Sequence, residues 1–235
     1  LPLGNIMAGG RFEDAGGQIA DGLARFTGTT WVPVSTNGSN GEAHVVRALS
    51  GGRTFVGGQF TMISGVATQS AAMHDGVNWQ AMPLTAGLGE VTAVAELPTG
   101  ELFCAAQNGV LPSPIGNTST IYQWVGGSWL SVAIANRRVN ALEAAPDGSL
   151  VAVGDFSAIG GVPVGAVAVW DGAVWAPLYA TFTSYVNAIA WLPDGSPVIA
   201  GSVSTTAGFG YVSIGDGVTW QPMINGPSQP PLALA

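Results

Sequence analysis

One short pattern recurs five times along the chain, and nothing constrains the fold more. A tight turn leads into a tryptophan in "FTGTTW" at Trp31, "HDGVNW" at Trp79, "WVGGSW" at Trp129, "WDGAVW" at Trp175 and "GDGVTW" at Trp220. The tryptophans lie 48, 50, 46 and 45 residues apart, and Gly28, Gly76, Gly126, Gly172 and Gly217 each stand three residues before one. Asp-Gly between two apolar arms signals a β-hairpin, because the turn needs a positive φ that glycine adopts without strain.

Two further markers run in phase. One reads "MAGGRF", "FVGGQF", "FCAAQN", "VAVGDF" and "VIAGSV"; the other reads "VVRAL", "VTAVAEL", "VNALEA", "VNAIAWL" and "PLALA". Turns "SGG", "PTG", "PDG" and "PDG" follow the four internal copies of the second. A unit therefore parses as four short strands with Gly, Pro and Asp between them, a meander rather than a helix. Four strands at a period of about 40–50 residues is the mark of a propeller blade. The expected fold is all-β: a five-bladed β-propeller with four antiparallel strands per blade, residues 1–235 forming one domain. The start at Leu1 rather than Met reads as a processed form or a piece of a longer chain.

The ends carry a further expectation. "LPLGNIMAGGRF" is a second strand without a first, and "PPLALA" is a first strand without a second. Residues 232–235 are expected to pair beside residues 6–9 and close the ring. The recurring tryptophans Trp31, Trp79, Trp129, Trp175 and Trp220 are expected as structural wedges between blades, since one aromatic buries about 150–250 Å². The third unit has lost the double glycine and gained prolines, which predicts a distorted end to its second strand.

Only 9% of residues are charged while 47% are hydrophobic, which argues against disorder. Six arginines with no lysine, and a net charge of −8, argue against nucleic acid and against a polybasic membrane contact. No apolar run reaches the ~18 residues of a membrane helix. The single Cys104, in "LFCAA", is expected to be a buried free thiol.

Catalytic signatures are missing. His44 and His74 fall in different units without metal-ligand spacing, so neither metal nor cofactor is expected. Asp75, Asp171 and Asp216 sit in the hairpin turns, and Asp147 and Asp194 in the "PDG" turns. A carboxylate pair meeting only in the fold stays open as a route to glycoside hydrolysis. The sequence does not read as an enzyme.

Two sets of equivalent polar positions remain. Arg11, Gln59, Asn108, Asp155 and Ser202 follow the second strand. Arg47, Thr92, Asn140 and Asn187 follow a valine of the first, and are expected near the axis, as channel lining or as ligand contacts. Tyr122, Tyr179, Phe182, Tyr185 and Phe209 are aromatics that could contact a sugar or a protein, three of them within "LYATFTSY".

The units "VGGQF…SGVATQSAAMHDGVNWQAM" and "VGDFSAIGGVPVGAVAVWDGAVWAPL" resemble Kelch-type repeats of the galactose-oxidase central-domain kind. Variants of this pattern occur in secreted bacterial proteins, fungal surface proteins and phage virion proteins. The resemblance covers the whole chain, and fold does not dictate function. What it implies is a non-enzymatic structural or receptor-binding module, extracellular or virion-borne, in a phage fibre, tail or capsid surface. Its partners would be other proteins of a larger assembly, or a cell-surface glycan. A soluble lectin is the alternative, and a degenerate propeller hydrolase or oxidase a second. Five blades are also similar to the tachylectin type, whose sequence motifs are absent. The copper site of galactose oxidase has no counterpart among Cys104 and the tyrosines.

Overall fold

The computed structural model describes residues 6–34, 38–84, 89–107, 118–179, 185–205, 208–223 and 226–234. Five antiparallel sheets follow one another along the chain, each an up-and-down meander. Sheet 1 holds Ile6–Gly9, Leu23–Phe26 and Trp31–Pro33. Sheet 2 holds Glu42–Ala48, Thr54–Gln59, Ala71–His74 and Trp79–Ala81. Sheet 3 holds Val91–Glu96, Leu102–Gln107, Ser119–Val125 and Ser128–Ala135. Sheet 4 holds Val139–Ala144, Leu150–Gly154, Val167–Trp170 and Trp175–Pro177. Sheet 5 holds Tyr185–Trp191, Pro197–Thr205, Gly208–Gly215 and Trp220–Pro222. Among the described residues the one helical segment is a 3-10 turn at Ser50–Gly52, and no helix is long and apolar enough to cross a membrane.

Each sheet packs face to face on the next, and the arrangement is propeller-like. The first strands of successive sheets lie side by side. Leu23, Val56 and Ala72 fill the space between sheets 1 and 2. Phe55, Cys104 and Trp129 fill that between sheets 2 and 3. Phe103, Leu142 and Trp175 join sheets 3 and 4, and Val151, Ile199 and Trp220 join sheets 4 and 5. Trp129, Trp175 and Trp220 are buried, whereas Trp31 and Trp79 are half-buried. Trp129 also reaches back one sheet, where its Nε1 donates to Met82 O at 3.0 Å.

The "DG" hairpins are wider than two residues. Asp75, Asp171 and Asp216 each turn a carboxylate back to accept two backbone N–H groups, as at Ala173 and Val174, both 2.9 Å from Asp171. These bonds hold the three carboxyls below the usual range. Only the third unit has a two-residue loop, Gly126-Gly127, where Val125 pairs with Ser128 and both glycines have positive φ.

Glycine closes the second strand for a steric reason. A Cβ on Gly58, Gly154 or Gly201 would stand 2.0–2.2 Å from the carbonyl oxygen of Glu42, Arg138 or Tyr185. The third unit has Ala106 at this place and still runs a regular strand through Gln107, so the expected distortion is not found there. The register also makes Gln107, not Asn108, the equivalent of Gln59. Asn108 lies outside the described residues.

Between the second and third strands, three units carry a further two-residue hairpin where the sequence suggested only a loop. These are Asp14–Ala15 with Gln18–Ile19, Met62–Ile63 with Val66–Ala67, and Ala158–Ile159 with Val162–Pro163. Two of them hook onto the preceding unit, through an Ala135–Ile159 pair and a Ser39–Ile63 bridge. Asn136 clamps the first: its Oδ1 accepts from Ser157 N and Ala158 N, and its Nδ2 donates to Ser157 Oγ. Asn40 repeats this arrangement on Thr61 and Met62.

The expected pairing with residues 6–9 is not observed for residues 232–234, and Ala235 lies outside the described residues. Among the described residues Ile6–Gly9 has one ladder partner, Leu23–Phe26, and residues 232–234 carry no strand. Pro230 and Pro231 offer no N–H to start a ladder.

Candidate functional site

A β-bulge is repeated at one place in four first strands. The register slips at His44, Thr92, Asn140 and Asn187, so each of these residues is the extra one in its ladder. A bulge bends its strand and re-aims a side chain. Here three of the four grip the following segment. Thr92 Oγ1 donates to Val139 O at 2.7 Å, Asn140 Nδ2 to Val186 O at 2.9 Å, and Asn187 Nδ2 to Pro231 O at 2.9 Å. Asn140 Nδ2 also donates to Asp155 Oδ1 at 2.9 Å.

This register corrects one sequence expectation. His44, not Arg47, is the equivalent of Thr92, Asn140 and Asn187. Arg47 stands three residues further on, level with Ala95, Glu143 and Ala190. Its guanidinium forms a two-pronged pair with Glu143, with Nη1 2.6 Å from Oε2. Sheets 2 and 4 are thereby joined directly by a side-chain pair. Hydrogen bonding to Glu143 raises the pKa of Arg47. A cup of about 310 Å³ lies here, lined by His44, Thr92, Asn140, Asn187 and residues 232–234, with the Arg47–Glu143 pair in its wall.

At the mouth, charged groups form an arc over four units. Arg11 Nε donates to Glu42 Oε1 at 2.6 Å. His44 Nε2 lies 3.0 Å from Glu42 Oε2, and its Nδ1 lies 3.4 Å from Glu90 Oε2. Glu90 Oε1 in turn lies 2.8 Å from Arg138, which also donates to Gln107 at 2.9 Å. Hydrogen bonds from His44 and then Arg11 hold the Glu42 carboxyl below its usual range. Among the described residues no three His, Cys, Asp or Glu side chains gather to hold a metal.

The fifth unit breaks the arc. Tyr185 takes the position that Glu42, Glu90 and Arg138 occupy in the other units, and pairs with Ser202. It is 40% exposed. The second and third strands of this unit continue into a long hairpin, pairing out to Thr205 and Gly208. Phe209, 56% exposed, stands on it with its ring 5.0 Å from that of Tyr211.

The other expected aromatic contacts fall elsewhere. Tyr122 is buried among Cys104 and Leu102, because its strand alternation turns it toward sheet 2; burial raises its pKa. Tyr179 packs on Trp220 at 5.3 Å between sheets 4 and 5. Phe182 lies outside the described residues. Reading the sequence missed His44 as an axial residue, and Asn40 and Asn136 as clamps. Both asparagines stand three residues before the paired residue that precedes the bulge, a spacing visible once the register is known.

No family model matches the chain, and no curated protein does. Solved structures do. A structure of YCF48 bound to D1 peptide shares 18% identity over 85% of this chain and 59% of its own, with a TM-score of 0.48. A Dyadobacter fermentans protein of unknown function shares 13% over 84% of this chain and 70% of its own, with a TM-score of 0.51. Endo-1,5-alpha-L-arabinanase from Thermotoga petrophila shares 10% over 74% of this chain and 51% of its own, with a TM-score of 0.40. The chain thus spans 59% and 51% of the length of the first and third. At such identities the likeness concerns fold alone.

Proposed function

We propose that the five sheets are the blades of a Kelch-like β-propeller whose first blade is completed by residues 231–234. The repeated hydrogen bond supports this: Pro231 O accepts from Asn187 as Val139 O does from Thr92 and Val186 O from Asn140. Deleting residues 230–235 then lowers the melting temperature sharply, and an unchanged melting curve refutes the closure.

The propeller is a non-enzymatic binding module of an extracellular assembly, with a phage virion surface as the specific setting. One observation carries this reading. The mouth carboxylates Glu42 and Glu90 are each held by an arginine and by His44, while the fifth unit presents Tyr185 and Phe209 to solvent. A general acid needs a carboxyl whose pKa is raised, and Glu42 is shifted the other way. Exposed aromatics on a rigid scaffold suit contact with a protein or a neutral glycan. The test compares wild type with Tyr185→Ser/Phe209→Ser in attachment to cells, in incorporation into the parent assembly and on a glycan array. Loss of attachment or incorporation in the variant supports the reading, and array binding by wild type alone favours the lectin alternative. Polysaccharide hydrolysis that survives the aromatic changes and is abolished by Glu42→Gln or Glu90→Gln overturns it.

A further inference from the structure

Two asparagines clamp rim hairpins in the same way, but their neighbours differ. Asn40 holds Thr61 and Met62, and Asn136 holds Ser157 and Ala158. Asn136 is followed by Arg137, whereas Asn40 is followed by Gly41. The fold requires that glycine, since a Cβ on Gly41 would collide with Gln59 O.

The Asn40 side chain is held as a reacting amide would be. Its Oδ1 accepts from Thr61 N and Met62 N, each at 2.8 Å. Two backbone donors at that distance act as an oxyanion hole when charge develops on the oxygen they hold. Its Nδ2 donates to Thr61 Oγ1 at 2.7 Å, close enough for that hydroxyl to return a proton to a departing nitrogen. The nucleophile stands one residue on. No described residue accepts from Gly41 N, and glycine has no side chain to shield it or restrict its approach. Asn40 is exposed, and a pocket of about 340 Å³ lined by Ser39, Gly41 and Glu42 opens the segment to water.

We propose that Asn40 is a self-modification site, at which the chain deamidates its own clamp. Gly41 N attacks Asn40 Cγ and loses its proton to solvent. The Cγ–Nδ2 bond breaks, and Nδ2 leaves as ammonia. Water then opens the resulting succinimide at either ring carbonyl, giving aspartate or isoaspartate at position 40. Isoaspartate routes the main chain through Cγ, which carries away the acceptor that held Thr61 N and Met62 N. The hairpin at Met62–Ile63 keeps its backbone ties to residues 38–40 and loses the side-chain clamp. The matching clamp at Asn136 has longer donor distances, 3.0 and 3.2 Å, and a bulky residue after it, so it stays intact.

The test holds purified protein in mildly alkaline buffer and maps its peptides by mass spectrometry, with fragmentation that separates Asn37 from Asn40 and isoaspartate from aspartate. Wild type is expected to gain one mass unit at Asn40, at least as fast folded as in guanidinium, and to stay unchanged at Asn136. Thr61→Val removes the hydroxyl beside Nδ2 and is expected to slow the folded reaction several-fold, with no change in guanidinium. Arg137→Gly is expected to make Asn136 react as well. Hydrogen exchange at Met62 is expected to speed up in the isoaspartate fraction. A folded wild type that reacts more slowly at Asn40 than the unfolded chain, a Thr61→Val rate equal to wild type, an inert Asn136 in Arg137→Gly, or unchanged exchange at Met62 overturns the proposal.

Discussion

Replacing Trp220 by alanine removes the largest fully buried side chain among the described residues. It is 1% exposed, wedged against Val151, Val167 and Ile199, and faced by the Tyr179 ring at 5.3 Å. An indole buries about 150–250 Å², worth about 4–6 kcal/mol at ~25 cal/mol per Å². Residual compaction of the unfolded chain trims that figure by about 10–40%. The expected loss is then about 3–5 kcal/mol, within the usual range for truncating a buried tryptophan. For a chain of this size that lowers the melting temperature by roughly 6–20 °C. Trp31 holds the same repeat position but is half-buried, against Phe26 at 5.3 Å, so Trp31→Ala should cost at most about half as much. Calorimetry and urea titration followed by circular dichroism measure both. Equal losses at the two positions, or a Trp220→Ala loss under about 1.5 kcal/mol, would show that the tryptophan does not act through burial between sheets.

Three further outcomes are expected. A double-mutant cycle of Arg47→Ala and Glu143→Ala should return a coupling of about 1 kcal/mol, kept modest because Arg47 is partly solvated, and a coupling of zero would deny the link between sheets 2 and 4. Asn136→Ala should destabilise by about 1–2 kcal/mol and speed hydrogen exchange at Ser157 and Ala158, whereas a change confined to other sheets would refute the clamp. Asp75, Asp171 and Asp216 have folded pKa values below their unfolded ones, so the stability they contribute is full above the ordinary carboxylate range and is lost as pH falls through the lowered values. Denaturation measured from neutral to acidic pH should show that slope, and Asp171→Asn should reduce it.

Much of the fold was legible because the repeat was strong. The Trp-bearing hairpins, the second-strand glycines and the strand order all follow from local chemistry. What escaped depends on register. "VVRAL" matches "VNALEA" by eye, yet the bulge sits at His44, three residues before Arg47, and only the ladder reveals it. Tyr122 read as available because one aromatic in a strand carries no mark of which face it takes. The candidate site was less legible still. Asn140 and Asn187 were read as channel lining or ligand contacts, and their side-chain donors are spent on neighbouring carbonyls and on Asp155. The Arg–Glu–His arc joins residues from four units whose meeting no local pattern encodes.

The rim hooks divide the molecule unequally. The hairpin at Met62–Ile63 ties sheet 2 to the segment leaving sheet 1, and that at Ala158–Ile159 ties sheet 4 to sheet 3. Sheet 5 has in place of such a hook the long projecting hairpin that carries Phe209. Sheets 1 and 2, and sheets 3 and 4, are thus fastened at the rim as well as through their cores, while sheet 5 is held to sheet 4 by packing and the axial clasp. Mechanically these are two stiff doublets and a single leaf. The leaf without a rim hook among the described residues is also the one that presents Tyr185 and Phe209 to solvent.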